Sequence, residues 1–250
     1  MRADPELLRD LIAMTPGMVT RPGRGRPEAV IRAAESVTGP LPRSYRWWLA
    51  EYGEGSLRGR PIATVDPVPG LGEPGLTEGR DGGDRLWFHE DDDHECHGFA
   101  LDRPADGEWP VVVRSRVTGE EQPYADSFAG FLTMWAALAA GLREGPNPAV
   151  ARLWRATPGL RLPDGGTLYG PHVLRARNDA WEVRTHAPHW VLVGEEGGGA
   201  GLFMRRHGRD RSSLYRLAPG ALRGGGADHG EPLAADLFVW IDRITGPASR

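Results

Sequence analysis

The chain has no lysine. All 30 of its basic residues are arginine. With 35 glycines and 22 prolines alongside, this resembles the codon habit of a GC-rich bacterium rather than a functional device. There is one cysteine, Cys96, which excludes an internal disulfide and fits a reducing compartment. No apolar run approaches the roughly 18–20 residues needed to span a bilayer, so no membrane helix is expected. Met1 is followed by Arg2, Asp4 and Glu6 with no apolar stretch, so no secretory signal is expected and a cytoplasmic protein is predicted. Familiar catalytic signatures are missing too. No Gly-x-Ser-x-Gly elbow occurs. Gly197–Gly199 follows an apolar run but lacks the Gly-Lys-Ser/Thr ending of a phosphate-binding loop, and reads as a turn. Gly224–Gly226 reads as a flexible loop, and Cys96 has no partner base apart from nearby histidines.

What is present suits a folded α+β protein. The chain's 250 residues and nine tryptophans suffice for one large domain or two small ones. Helices are predicted over Asp4–Ala13 and Pro27–Val37, with a third starting at Pro42 and stopping at Gly53. Tyr45, Trp48 and Leu49 then share one apolar face. Adjacent Trp47 and Trp48 cannot both face a core. Residues 15–27 and 66–84 read as loops. Strands are predicted at Pro61–Val65, Arg85–His89, Gly98–Asp102 and Trp109–Val117. An amphipathic helix follows over Asp126–Leu142, with Asp126 as its expected N-cap and Ser127 in its first turn. Gly145-Pro-Asn-Pro148 is the preferred domain break, giving domains 1–145 and 146–250. Beyond it, a helix is predicted at Ala149–Ala156. Strands are predicted at Leu168–Tyr169, Val173–Arg175, Trp181–Thr185, Trp190–Val193, Gly201–Met204 and Ser213–Leu217. A last helix spans Ala235–Ile244.

The two halves rhyme. Residues 86–102 and 190–204 each read as strand, acidic glycine-containing turn, strand. Ser127-Phe-Ala-Gly-Phe-Leu132 matches Asp236-Leu-Phe-Val-Trp-Ile241 in apolar spacing. Glu35 to Gly39, Leu41-Pro42, Tyr45, Trp48-Leu49 and Gly53 resemble the opening of the SMI1/KNR4 (SUKH) superfamily. Pro110-Val-Val-Val113, Asp126-Ser-Phe128 and Phe131-Leu132 resemble its close. Together they cover residues 27–140. Thr167-Leu-Tyr-Gly-Pro171, Val191-Leu-Val-Gly194, Gly197–Gly199 and the last helix resemble the same family, without the Leu-Pro opening. The resemblance implies one complete and one reduced copy, each a twisted, mainly antiparallel sheet backed by helices. It also implies a binding role with no reaction and no cofactor: an immunity protein that neutralises a bacterial toxin, or a regulatory scaffold.

Charge sharpens that expectation. Residues 1–145 carry 24 acids against 16 arginines, and the remainder 10 against 14. An acidic first half disfavours direct nucleic-acid binding there and favours a basic protein partner. The densest acidic stretch is His89-Glu-Asp-Asp-Asp-His-Glu-Cys-His97. It reads as a solvated turn between strands, with Glu90, Asp91, Asp92, Asp93 and Glu95 as candidate partner contacts. Trp47 and Glu54 are further candidates. His89, His94 and His97 offer an alternative reading as metal ligands of an enzyme, although His94-Glu-Cys-His97 is not a standard zinc spacing. Arg205, Arg206, Arg209 and Arg211 form a basic run around a predicted hairpin, read as a solvated turn or as an anion or partner contact.

Overall fold

The apolar segments are divided between two sheets. The computed structural model describes residues 2–67, 74–81, 83–143, 145–218, 220–223 and 230–246. The first sheet runs β1 (Met18–Thr20), β2 (Gly55–Leu57), β3 (Arg60–Ile62), β4 (Arg85–Glu90), β5 (Glu95–Ala100), β6 (Val111–Ser115) and β7 (Glu121–Ala125). The second contains β8 (Leu160–Arg161), β9 (Thr167–Leu168), β10 (Trp190–Glu195), β11 (Gly201–Arg205), β12 (Leu214–Leu217) and β13 (Glu231–Ala234). Both are antiparallel meanders in sequence order. The helices are α1 (Pro5–Met14), α2 (Glu28–Thr38), α3 (Arg43–Glu51), α4 (Phe128–Ala139), α5 (Pro148–Ala156), α6 (Pro171–Ala180), α7 (Val183–His186) and α8 (Leu237–Thr245). The fold is α+β, two antiparallel sheets with helices packed on them. No helix among the described residues is long and apolar enough to cross a membrane.

Each sheet has its own core. Tyr45, Trp48 and Leu49, all fully buried, bring α3 onto the first sheet. The Tyr45 ring lies 4.9 Å from Phe128 and 5.3 Å from Phe99, and its hydroxyl donates to the Ala63 carbonyl. The second core gathers Trp154, Leu192, Phe203 and Trp240. Helix α4 serves both: Phe128 and Phe131 enter the first core, Met134 and Ala137 the second. A helix buried nearly all round must be apolar nearly all round, and α4 is. At Gly130 it meets α5 so closely that a Cβ would stand 1.7 Å from the Arg155 carbonyl oxygen. The Asp126 N–H and the Ser127 hydroxyl also donate to α5, at Arg155 and Ala156.

Several sequence expectations are corrected. Val173–Arg175 and Trp181–Thr185 are not strands. They lie in and around α6 and α7, where Pro171 sits at the first helical position and Leu174 and Asn178 are buried one turn apart. Residues 15–27 are not all loop, since they contain β1. The α4 cap is Ser127, whose Oγ accepts the Gly130 N–H at 3.0 Å, rather than Asp126. Strands β7 and β13 lie outside the expected strands, and each contains a proline. Both lie at sheet edges, where a missing N–H is tolerated. The expected 66–84 loop includes a 3-10 turn, Leu76–Gly79, with Leu76 buried; residues 68–73 and the Gly224–Gly226 stretch lie outside the described residues.

Candidate functional site

The acidic stretch forms the β4–β5 hairpin. His89 pairs with His97 and Glu90 with Cys96, and Asp91 to His94 make the turn. Asp91 holds it together. Its N–H donates to the Glu95 carbonyl, and its Oδ1 accepts the N–H groups of Asp93 (2.9 Å) and Glu95 (3.0 Å). His94 takes φ +59°, the left-handed conformation that lets so short a turn close.

The turn is only partly self-neutralised. Arg60 pairs with Asp92, and Arg116 with Glu90 at 3.2 Å. His94 lies 3.9 Å from Glu90. Among the described residues, Asp93 and Glu95 have no cationic partner. Partial burial, followed by the charges of Asp91 and Asp93, raises the Glu95 carboxyl above the usual range. Two exposed acids at a hairpin tip, unpaired and crowded, make a locally negative projection.

The three histidines do not act together. His94 is exposed at the tip, while His89 (4% exposed) and His97 (2%) point inward against α4. The His97 ring lies 4.9 Å from Tyr124 and 5.1 Å from Phe131. His89 Nδ1 lies 3.0 Å from the Pro61 carbonyl oxygen. Burial pushes both imidazoles below their ordinary pKa, His97 to about 3, with the neighbouring His89 adding to its shift. Both rings are therefore neutral near pH 7. His89 Nε2 and His97 Nδ1 are buried without a hydrogen-bond partner. The set His89/His94/His97 is corrected on this geometry. The donors that do converge are Asp91, Glu95 and His97, whose ligand atoms lie within 4.8 Å of one another.

Trp47 is half-buried on α3 between Arg9 and Tyr52, with the Arg9 guanidinium 5.9 Å from its ring. Trp48 is the member of the pair that enters the core. Glu54 pairs with Arg21 at 2.8 Å and with Arg26 at 3.9 Å. No described ion pair or ring contact joins Trp47 or Glu54 to the acidic turn.

Sequence reasoning missed the cleft beside the hairpin. It has a volume of about 790 Å³ and lies along the outer side chains of β4 and β5, with Trp87, Cys96 and Arg114 among its walls. Trp87 is sandwiched there. Arg114 stands 4.3 Å over its ring, and its Nε1 donates to Asp81 at 3.0 Å. That hydrogen bond is the main reason the Asp81 carboxyl falls below the usual range. Gly98 makes room for the ring: a Cβ there would lie 2.6 Å from it. The signal was the alternation Leu86-in, Trp87-out, Phe88-in, which places Trp87 on the solvent face of β4.

No protein-family model matches the chain.

Proposed function

We propose that this protein is a non-catalytic binding protein of the immunity type, which neutralises a basic protein toxin by docking it on the β4–β5 hairpin and the adjoining cleft. The observation that carries the reading is the tip itself. It places Asp93 and Glu95, two acids without cationic partners, beside a cleft of about 790 Å³ that has an aromatic wall. Exposed acids speed encounter with a basic partner, and a partly exposed Trp87 supplies contact area. The resemblance of residues 27–140 to SUKH proteins supports the same role.

The test pairs the purified protein with the product of the gene adjacent to its own. Binding and rescue of growth on co-expression are expected. Asp93→Asn with Glu95→Gln should slow association about tenfold at low salt, with a smaller effect at high salt. If the adjacent product does not bind, or if the double variant binds as wild type does, the reading is overturned. Binding with no effect on growth would favour the regulatory scaffold instead.

A second reading has one specific observation behind it. His97 is buried, neutral and without a hydrogen-bond partner, and it lies beside two carboxylates. An orphaned buried nitrogen costs about 1–3 kcal/mol, which a bound cation would offset. Asp91, Glu95 and His97 would supply three ligands to a zinc-like ion and leave a position for water, the form of a catalytic metal centre. Metal analysis after equilibration with Zn²⁺ and gel filtration decides it. One ion per chain, lost in Glu95→Gln, is expected; less than a tenth of an ion per chain would end this reading.

A further inference from the structure

The arginines of this chain are unevenly satisfied. On the first sheet and its helices, Arg9, Arg46, Arg60, Arg85, Arg114 and Arg116 all pair with carboxylates. In the second half a different group gathers around one groove, at the end of α4 and along α6. Its cavity, about 770 Å³, is lined by Arg175, Arg184, Arg206, His207 and Asn178, and among the described residues Asp179 is the one carboxylate in its lining. A neighbouring cavity of about 470 Å³ shares Arg206 and His207 and adds Arg152, Arg155 and Arg211. None of these six arginines makes a salt bridge among the described residues. Of the basic run between β11 and β12, Arg206, His207 and Arg211 line these cavities, while Arg205 stacks on the Trp190 ring.

Two of the guanidiniums are held in place without being neutralised. Arg206 Nε donates to the Trp190 carbonyl at 2.9 Å, and Arg175 Nη2 donates to the Ala140 carbonyl at 3.0 Å. Carbonyls fix orientation while leaving the positive charge uncompensated. Arg206 is half-buried as well, and burial together with the charge of Arg184 depresses its pKa. The fold thus keeps like charges close together in a concave, partly desolvated place, where an anion would offset them.

We infer that this groove binds a small phosphate-bearing molecule, with Arg175, Arg184 and Arg206 taking the phosphoryl oxygens. Guanidinium presents paired N–H donors in a planar fork that matches two oxygens of a phosphate. A phosphate's double negative charge suits a cluster of guanidiniums better than a single carboxylate does. The main cavity lies within the roughly 300–1,000 Å³ of small-molecule sites. The site is separate from the acidic hairpin and does not depend on the reading of that turn.

Isothermal titration of the full chain with inorganic pyrophosphate and with ATP, at about 150 mM salt, tests this. Binding at sub-millimolar concentration is expected for at least one of them. ATP binding tighter than pyrophosphate assigns the site to a phosphate ester, and equal affinities assign it to free phosphate. Arg184→Glu should weaken binding at least tenfold. Arg24→Glu, the same charge change at an exposed arginine on the other half, should leave it within twofold. Arg175→Met repeats the test without charge reversal, should Arg184→Glu fail to fold. If neither probe binds below about 10 mM, or if Arg24→Glu weakens binding as much as Arg184→Glu, the inference is overturned.

Discussion

Replacing Asn178 with alanine should cost more than its position on a helix surface would suggest. Strand β10 has β11 on one side, but on the other β9 ends at Leu168, opposite Gly194. Leu192, fully buried, therefore has no strand partner on that side for its N–H or its C=O. Asn178 of α6 supplies both. Its Oδ1 accepts the Leu192 N–H at 3.0 Å, and its Nδ2 donates to the Leu192 carbonyl at 2.8 Å. Nδ2 donates to the Leu174 carbonyl as well. One side-chain amide thus does the work of a missing stretch of strand. Alanine would leave two buried backbone groups unpaired, at about 1–3 kcal/mol each. A total loss of about 3–4 kcal/mol is expected, a large fraction of the roughly 5–15 kcal/mol that holds a domain together. Asn178→Asp should be no better, because it keeps the acceptor but faces the Leu192 carbonyl with a carboxylate. Urea unfolding at 25 °C gives the loss, and hydrogen exchange at the Leu192 amide locates it. A loss under 1 kcal/mol with Leu192 still protected would refute the reasoning.

Three further outcomes follow from packing and charge. Gly130→Ala should destabilise by about 2 kcal/mol or more, since its Cβ has no space beside the Arg155 carbonyl and α4 must move off α5; thermal unfolding as stable as wild type would contradict that contact. Ser127→Ala should cost about 1 kcal/mol, because the hydroxyl both caps α4 and donates to Ala156, and urea midpoints at constant m-value measure it. Glu108 accepts from the Ser44 N–H and hydroxyl at the start of α3, yet its burial raises its pKa. Its folded form favours the proton, so its contribution to stability is present at low pH and is lost as pH rises through the raised value. Glu108→Gln should therefore gain in melting temperature relative to wild type at pH 8 compared with pH 4, and a gain confined to pH 4 would reverse the sign.

Local patterning made much of the fold legible. Helices α1 and α8 lie where the sequence predicts them, and Tyr45, Trp48 and Leu49 fill the first core, as helical spacing predicts. What was missed is short or edge-bound: β1 and β2 span three residues each, and β7 and β13 carry prolines. Segments that short have no period of their own and are strands only because a neighbour pairs with them. Val173–Arg175 and Trp181–Thr185 read as strands because short apolar runs look alike in either structure; in the fold they belong to and flank α6 and α7, which pack on β10. At the candidate site, sequence located the acidic turn. It could not show that His89 and His97 turn inward while His94 turns out, since alternation assigns faces only once the register is set.

By itself the sequence determined the α+β character, the apolar face of α3 and the acidic stretch from Glu90 to Glu95. Each depends on neighbours a few residues apart, within reach of periodicity and turn chemistry. Tertiary structure alone decided which charges are cancelled. Arg60 comes to Asp92 across 32 residues and Arg161 to Glu6 across 155, while among the described residues Asp93, Glu95 and the arginines of the α4–α6 groove are left without a salt bridge. Charge pairing depends on distance in space, and only folding brings residues so far apart in the chain together.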